Sequence, residues 1–336
     1  MDEYSDKHFL KGFGFLAENN IARALDEFSN VLMQKNDNLE IYASMGSLFR
    51  RNGDYAKAVH IHESALSSPK LPGSLKKYIQ FELVKDYRAW GQNKQAKYYL
   101  DDLSKHDKSP VLVKILAEIN FEQENYEEAE KLFHKYEKIS HKDYSDWRAY
   151  CIYKQALKET QDKQKVKLLE KSLKISPGLR IVNLEYIRTL FAGAQKEKGI
   201  SAVNSFIEND LALTEDDLNE MREYYYDYKD VKDFDQLIMR KVSAKTENPF
   251  YILFMAEYFI KKDDLTRAKE IIKDFINEHG SFKSLLKKYS QIHLDSVFVD
   301  AFINEPEYKC SSCGTLYNDY HTICANCKSL EKIKPV

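Results

Sequence analysis

Apolar and polar positions follow a helical period through most of this chain, and strand signals are nearly absent before residue 305. Superposed on that period is a longer one. Shifting the chain against itself by about 34 residues maps Gly12, Phe15, Ala24, Phe28 and Val31 onto Gly46, Phe49, Ala58, His62 and Ala65. A small residue early in each of two successive helices lets them approach closely, and larger side chains fill the gap between them. Each such pair leaves an apolar face open, which the next pair covers.

This is tetratricopeptide spacing, and it continues with drift. Val84, Tyr87, Ala96, Leu100 and Leu103 mark a third unit, and Ala117, Asn120, Ala129, Phe133 and Tyr136 a fourth. A fifth starts at Trp147 and stops near Pro177-Gly178. Units at about 181–210 and 213–246 are degenerate: Ala202 and Phe206 fit, whereas Phe234 stands where the second helix should carry a small residue. Pro249, Ala256, Phe259, Ala268, Ile272 and Phe275 restore the pattern. The chain is therefore expected to be all-α, with a solenoid of about eight helix-turn-helix units over 5–280. Two closing helices, 282–293 and 296–303, are expected within 281–304, and Pro306 opens a separate tail, 305–336.

Bulk properties agree. At 336 residues the chain is too long for one ordinary core unless it grows in one dimension. Only 11 glycines and 7 prolines leave little turn material for an all-β fold. With 51 basic and 53 acidic residues, net charge -2, no nucleic-acid partner is expected. The N-terminus has no basic stretch leading into an apolar one, so no signal peptide is expected. The most apolar run, 251–260, is interrupted by Glu257 and falls short of the roughly 20 residues a bilayer span needs, so the chain reads as soluble.

The tail carries the candidate chemistry. Four of five cysteines lie there, as Cys310-Ser311-Ser312-Cys313-Gly314 and Cys324-Ala325-Asn326-Cys327. Each C-x-x-C knuckle aims two thiolates at one point, and two knuckles complete a tetrahedral sulfur cage for one zinc or iron ion. Such clustering does not staple a large fold; it points to metal in a reducing compartment. Four thiolates leave no open position, so the site is expected to be structural. Gly314 suits a positive φ, and Cys151, alone among aromatics, is expected in the core.

Together these features resemble the lipopolysaccharide assembly protein B family, bacterial tetratricopeptide proteins ending in a rubredoxin-like domain. The most specific segments are Phe9-Leu10-Lys11-Gly12, Gly46 through Gly53 followed by Ala58-Val59-His60-Ile61-His62, and Tyr308 through Pro335. The resemblance implies a non-enzymatic adaptor at the cytoplasmic face of the inner membrane that restrains lipopolysaccharide synthesis. It would act with a membrane AAA protease against the deacetylase that commits sugar nucleotides to lipid A. It also implies a metal domain packed on the repeats, held by Cys310, Cys313, Cys324 and Cys327. The family usually starts with a transmembrane helix, and this sequence begins where that helix would end, so the anchor has either been removed or is absent from this homologue.

On this reading client contacts fall on the groove lined by the first helix of each unit, with Arg50 and Arg51 as leading candidates for pairing with carboxylates and His62 behind them. Two other functions compete. A zinc ribbon could bind nucleic acid through Lys309, Lys328, Lys332 and Lys334 with Tyr317 and Tyr320, although Glu307, Asp319 and Glu331 dilute that charge. An iron site could pass electrons, although no dinucleotide fingerprint accompanies it. No catalytic triad, paired carboxylates or phosphate loop can be placed, and no enzymatic activity is expected.

Overall fold

The computed structural model describes residues 3–18, 20–32, 39–69, 71–106, 108–280, 282–293 and 306–336. The expected second closing helix, 296–303, lies outside them, as does the side chain of Val31. The described residues are all-α except for the tail, and they divide into two compact units, 1–142 and 143–336.

In the first unit, α1 (Glu3–Ala17) packs on α2 (Ile21–Leu32), α3 (Leu39–Arg51) on α4 (Tyr55–Leu66), α5 (Gly73–Ala89) on α6 (Asn93–His106), and α7 (Pro110–Glu122) on α8 (Tyr126–Ser140). In the second, the pairs are α9 (Ser145–Ala156) with α10 (Asp162–Ile175), α11 (Arg180–Ala192) with α12 (Lys196–Glu208), α13 (Glu215–Tyr228) with α14 (Val231–Ser243), and α15 (Pro249–Lys261) with α16 (Leu265–His279). Helix α17 (Lys283–His293) then covers α15 and α16.

Repetition is visible in the turns as well as in the helices. A backbone N–H reaches the carbonyl five residues back at Asn20→Phe15, Asp54→Phe49, Gln92→Tyr87, Asn125→Asn120, Gln195→Leu190 and Asp264→Phe259, all within 2.8–3.0 Å. This is the Schellman closure of a helix, which needs a left-handed residue just before the donor. Gly53 and Gly91 supply it, and so do Glu124, Ala194 and Asp263 at φ near 60°, where composition alone gives no hint.

Close approach explains the small residues. A Cβ on Gly12 would lie 2.3 Å from Phe28 Cε1, and one on Gly46 would lie 2.5 Å from His62 Cε1. His62 thus fills the place in the second pair that Phe28 fills in the first. Phe234, which breaks the small-residue pattern, is fully buried and packs its ring against Tyr225 at 5.3 Å and Phe254 at 5.6 Å. Cys151 is buried, as a core residue should be.

The tail forms a three-stranded antiparallel sheet, order β2-β1-β3, from β1 (Tyr308–Cys310), β2 (Leu316–Tyr317) and β3 (Ile333–Pro335). It does not stand apart. Tyr308, Cys310, Cys324 and Ile333 belong to one apolar core with Leu184, Phe206, Tyr251 and Phe275 of the second unit.

Candidate metal centre

The two knuckles are built alike, bond for bond. In the first, the N–H of Gly314 donates to the carbonyl of Cys310 (2.9 Å) and that of Cys310 to Thr315 (2.8 Å). In the second, Lys328 donates to Cys324 (3.0 Å) and Cys324 to Ser329 (2.9 Å). Each closing residue takes positive φ, Gly314 at 78° and Lys328 at 57°. The first of these was legible as a glycine, whereas the second lysine carries no such mark.

This construction brings the four sulfurs together, all within 4.8 Å of one another. Across the knuckles Cys310 and Cys327 Sγ lie 3.7 Å apart, and Cys313 and Cys324 Sγ 3.6 Å. A sulfur tetrahedron with metal–sulfur bonds of about 2.3 Å has an edge of about 3.8 Å. The residues present therefore fit a four-thiolate ion, and both zinc and iron accept such a sulfur set.

The local field favours thiolates. At Cys310 the Ser329 hydroxyl leads in lowering the thiol, against burial and with help from the N–H groups of Ser312 and Cys313. Burial pushes Cys324 up, but the Tyr317 hydroxyl and the N–H groups of Cys327 and Asn326 outweigh it and bring the thiol down to about 5. At Cys327 the Ser329 hydroxyl and N–H pull down, yet burial, with neighbouring Cys313 and Cys324 behind it, outweighs them and raises the thiol. A cation at the centre would stabilise all four sulfurs as thiolates.

Within the second unit the tail is seated on the helices by polar contacts as well as core. The Glu331 carboxylate accepts the N–H of Arg180 (2.7 Å) and of Ile181 (2.9 Å), capping α11, whose own Leu179 provides no side-chain cap. The Arg180 guanidinium pairs with Asp217 through Nε (2.8 Å) and Nη2 and lies over the Tyr320 ring at 4.8 Å. Asp217 also takes the N–H of Leu213 (2.8 Å), and the Tyr308 hydroxyl donates to the Leu213 carbonyl (3.4 Å). Burial raises the Glu331 carboxyl above the usual range despite the two N–H donors. Glu331, Arg180 and Asp217 carry no local signal in the chain: Glu331 meets Arg180 across 151 residues and Asp217 meets it across 37.

No family model matches the chain. It is 21% identical to the lipopolysaccharide assembly protein B of Haemophilus influenzae, covering 100% of this chain and 91% of that protein. To its counterpart in Escherichia coli K12 it is 20% identical, covering 98% and 89%. The chain resembles lipopolysaccharide assembly protein B from end to end. Solved structures similar to it include a tetratricopeptide repeat protein from Parabacteroides merdae (12% identity, TM-score 0.42, 87% of this chain and 100% of that one). Another is the C-terminal part of a repeat-containing protein from Cytophaga hutchinsonii (15%, TM-score 0.43, 83% and 98%). The repeat architecture itself rests on the helix pairs and turns described above.

The residues singled out for client contact lie in the first unit. Arg51, at the end of α3, is exposed. Arg50, half-buried, pairs with Glu82 Oε2 at 2.8 Å and Asp86 Oδ1 at 2.6 Å. Glu82 also accepts from Ser47 Oγ at 2.8 Å and pairs with Lys85. His62 is fully buried, with Nδ1 on Asp86 Oδ2, so its ring is a core group and offers no surface to a client. Burial opposes the charge on Arg50 and on Glu82, and in each case the opposite partners win: Arg50 is raised and Glu82 lowered. Among the described residues no helix is long and apolar enough to cross a membrane.

Proposed function

We propose that this protein is a non-enzymatic adaptor whose repeats hold client proteins and whose tail is locked by one zinc or iron ion on Cys310, Cys313, Cys324 and Cys327. The observation that carries the reading is the resemblance to lipopolysaccharide assembly protein B across the whole chain, four-cysteine tail included. When bound, the ion supplies a closed cross-link with no open position for substrate. The thiolates bind it, and Glu331 with Arg180 fixes the tail on α11. By analogy with those relatives, the clients are the deacetylase that commits precursors to lipid A and a membrane AAA protease, brought together at the cytoplasmic face of the inner membrane to restrain lipopolysaccharide synthesis. Arg51 offers an exposed guanidinium for client carboxylates, and Arg50 and His62 act behind it by holding α3, α4 and α5 in register.

The test is retention from a bacterial lysate on the parent chain and on a Cys324→Ser/Cys327→Ser variant, with metal measured on both. Retention of the deacetylase and the protease by the parent, and loss of metal and partners together in the variant, supports the reading. Equal retention by both chains, or retention of nucleic acid with a steep salt dependence, overturns it.

A further inference from the structure

Every sulfur of the cage faces a side-chain hydroxyl. Tyr317 Oη lies 3.0 Å from Cys324 Sγ, Thr315 Oγ1 lies 3.1 Å from Cys313 Sγ, and Ser329 Oγ lies 3.0 Å from Cys327 Sγ and 3.4 Å from Cys310 Sγ. The direction of two of these bonds can be worked out. A hydroxyl has one hydrogen to give. The Ala325 N–H donates to Tyr317 Oη at 2.9 Å, and Asn326 Nδ2 donates to Thr315 Oγ1 at 3.0 Å. Each oxygen is thereby engaged as an acceptor, which leaves its own hydrogen for sulfur. The second knuckle therefore orients the hydroxyls of the segment that follows the first. Tyr317 ends β2 and Thr315 lies just before it, so both hydroxyls come from the short segment that follows the first knuckle.

We propose that Tyr317, Thr315 and Ser329 are positioning residues that hold the cage in its dianionic, divalent-metal state. The proposal rests on the metal reading above and specifies the oxidation state of the ion. Four thiolates around a divalent ion carry net charge -2, and around a ferric ion -1. A hydroxyl donated to sulfur stabilises the more negative cage more, so each one favours zinc or ferrous iron over ferric iron. It also lowers the sulfur lone pairs, which makes sulfur-to-metal charge transfer harder.

The experiment loads the full chain with iron and compares the parent with Thr315→Val, Thr315→Ser and Tyr317→Phe. Thr315→Val keeps shape and loses the hydroxyl, and Thr315→Ser keeps the hydroxyl. Tyr320→Phe serves as a control, because its hydroxyl makes no bond to sulfur. Metal content, reduction potential and the ferric charge-transfer band are read on each. Thr315→Val and Tyr317→Phe are expected to bind iron as the parent does but to favour the ferric state by about tenfold each, a potential lower by about 59 mV for one electron. Their charge-transfer bands should move to longer wavelength, while Thr315→Ser and Tyr320→Phe stay with the parent. Unchanged potential and band in iron-loaded Thr315→Val and Tyr317→Phe overturn the proposal and leave the metal reading standing. A parent chain that takes up no iron, zinc or cobalt under reducing conditions overturns both.

Discussion

Replacing Glu331 by glutamine should loosen the tail from α11 without touching a sulfur. The carboxylate takes two N–H groups at the start of α11, at 2.7 and 2.9 Å, and nothing else on that helix caps them. Glutamine keeps the shape but has one acceptor oxygen, so one buried N–H is left facing an amide that can only donate. An unsatisfied buried donor costs about 1–3 kcal/mol, and losing a negative charge at a helix N-terminus adds about 0.3–1 kcal/mol. Working the other way, burying the carboxylate is itself costly, as its raised pKa records. We expect a net loss of about 1–3 kcal/mol for Glu331→Gln and somewhat more for Glu331→Ala. The assay is denaturation of the metal-loaded protein, with amide exchange read at Arg180 and Ile181. The pH dependence has a definite sign. Because the folded protein holds this proton more tightly than the unfolded chain, stability contributed by the protonated form declines as pH rises through the ordinary carboxylate range to the raised value. Glu331→Gln should remove that decline. Unaltered exchange at residues 180 and 181 with an unaltered midpoint would refute the capping argument.

Further outcomes follow from the repeats and the tail core. Gly46→Ala puts a Cβ 2.5 Å from the buried His62 ring and should cost about 1–3 kcal/mol by overpacking, measured by thermal unfolding; a stabilised variant would contradict the close-approach account. Arg50→Ala removes the one cation shared by buried Glu82 and Asp86, leaving Glu82 with Ser47 and Lys85 and Asp86 with His62, and should destabilise the first unit by about 1–3 kcal/mol, whereas Arg51→Ala should leave stability unchanged and weaken client retention. Burial pushes Tyr308 and Tyr153 each up to about 12. Their folded pKa values lie above the unfolded value, so stability should be intact below about pH 10 and fall as pH climbs towards 12, with Tyr308→Phe making the fall shallower in a denaturation series.

What could be read from the chain was what local spacing encodes. The glycine and alanine pattern marks helix pairs because a Cβ at Gly12 or Gly46 would collide with one identified ring. The C-x-x-C pairs mark a cage because each knuckle is closed by bonds spanning only four or five residues. At His62 the 34-residue offset already marks a core position, the equivalent of Phe28, and the buried Asp86 explains how an imidazole is tolerated there. Long-range pairing left no trace. Glu331 looked like one more charge diluting a basic tail, and only the folded chain brings it to the N–H groups of Arg180 and Ile181. The left-handed Glu124, Ala194 and Asp263 were equally silent, since the turn imposes a conformation that their side chains do not prefer.

The central claim is that four thiolates share one ion, and X-ray absorption of the metal in the reduced 336-residue chain tests it most directly. The account predicts about one zinc or iron per chain in a shell of four sulfurs at about 2.3 Å. A shell containing nitrogen or oxygen, or a metal-free chain with Cys310, Cys313, Cys324 and Cys327 all open to alkylation, would contradict it.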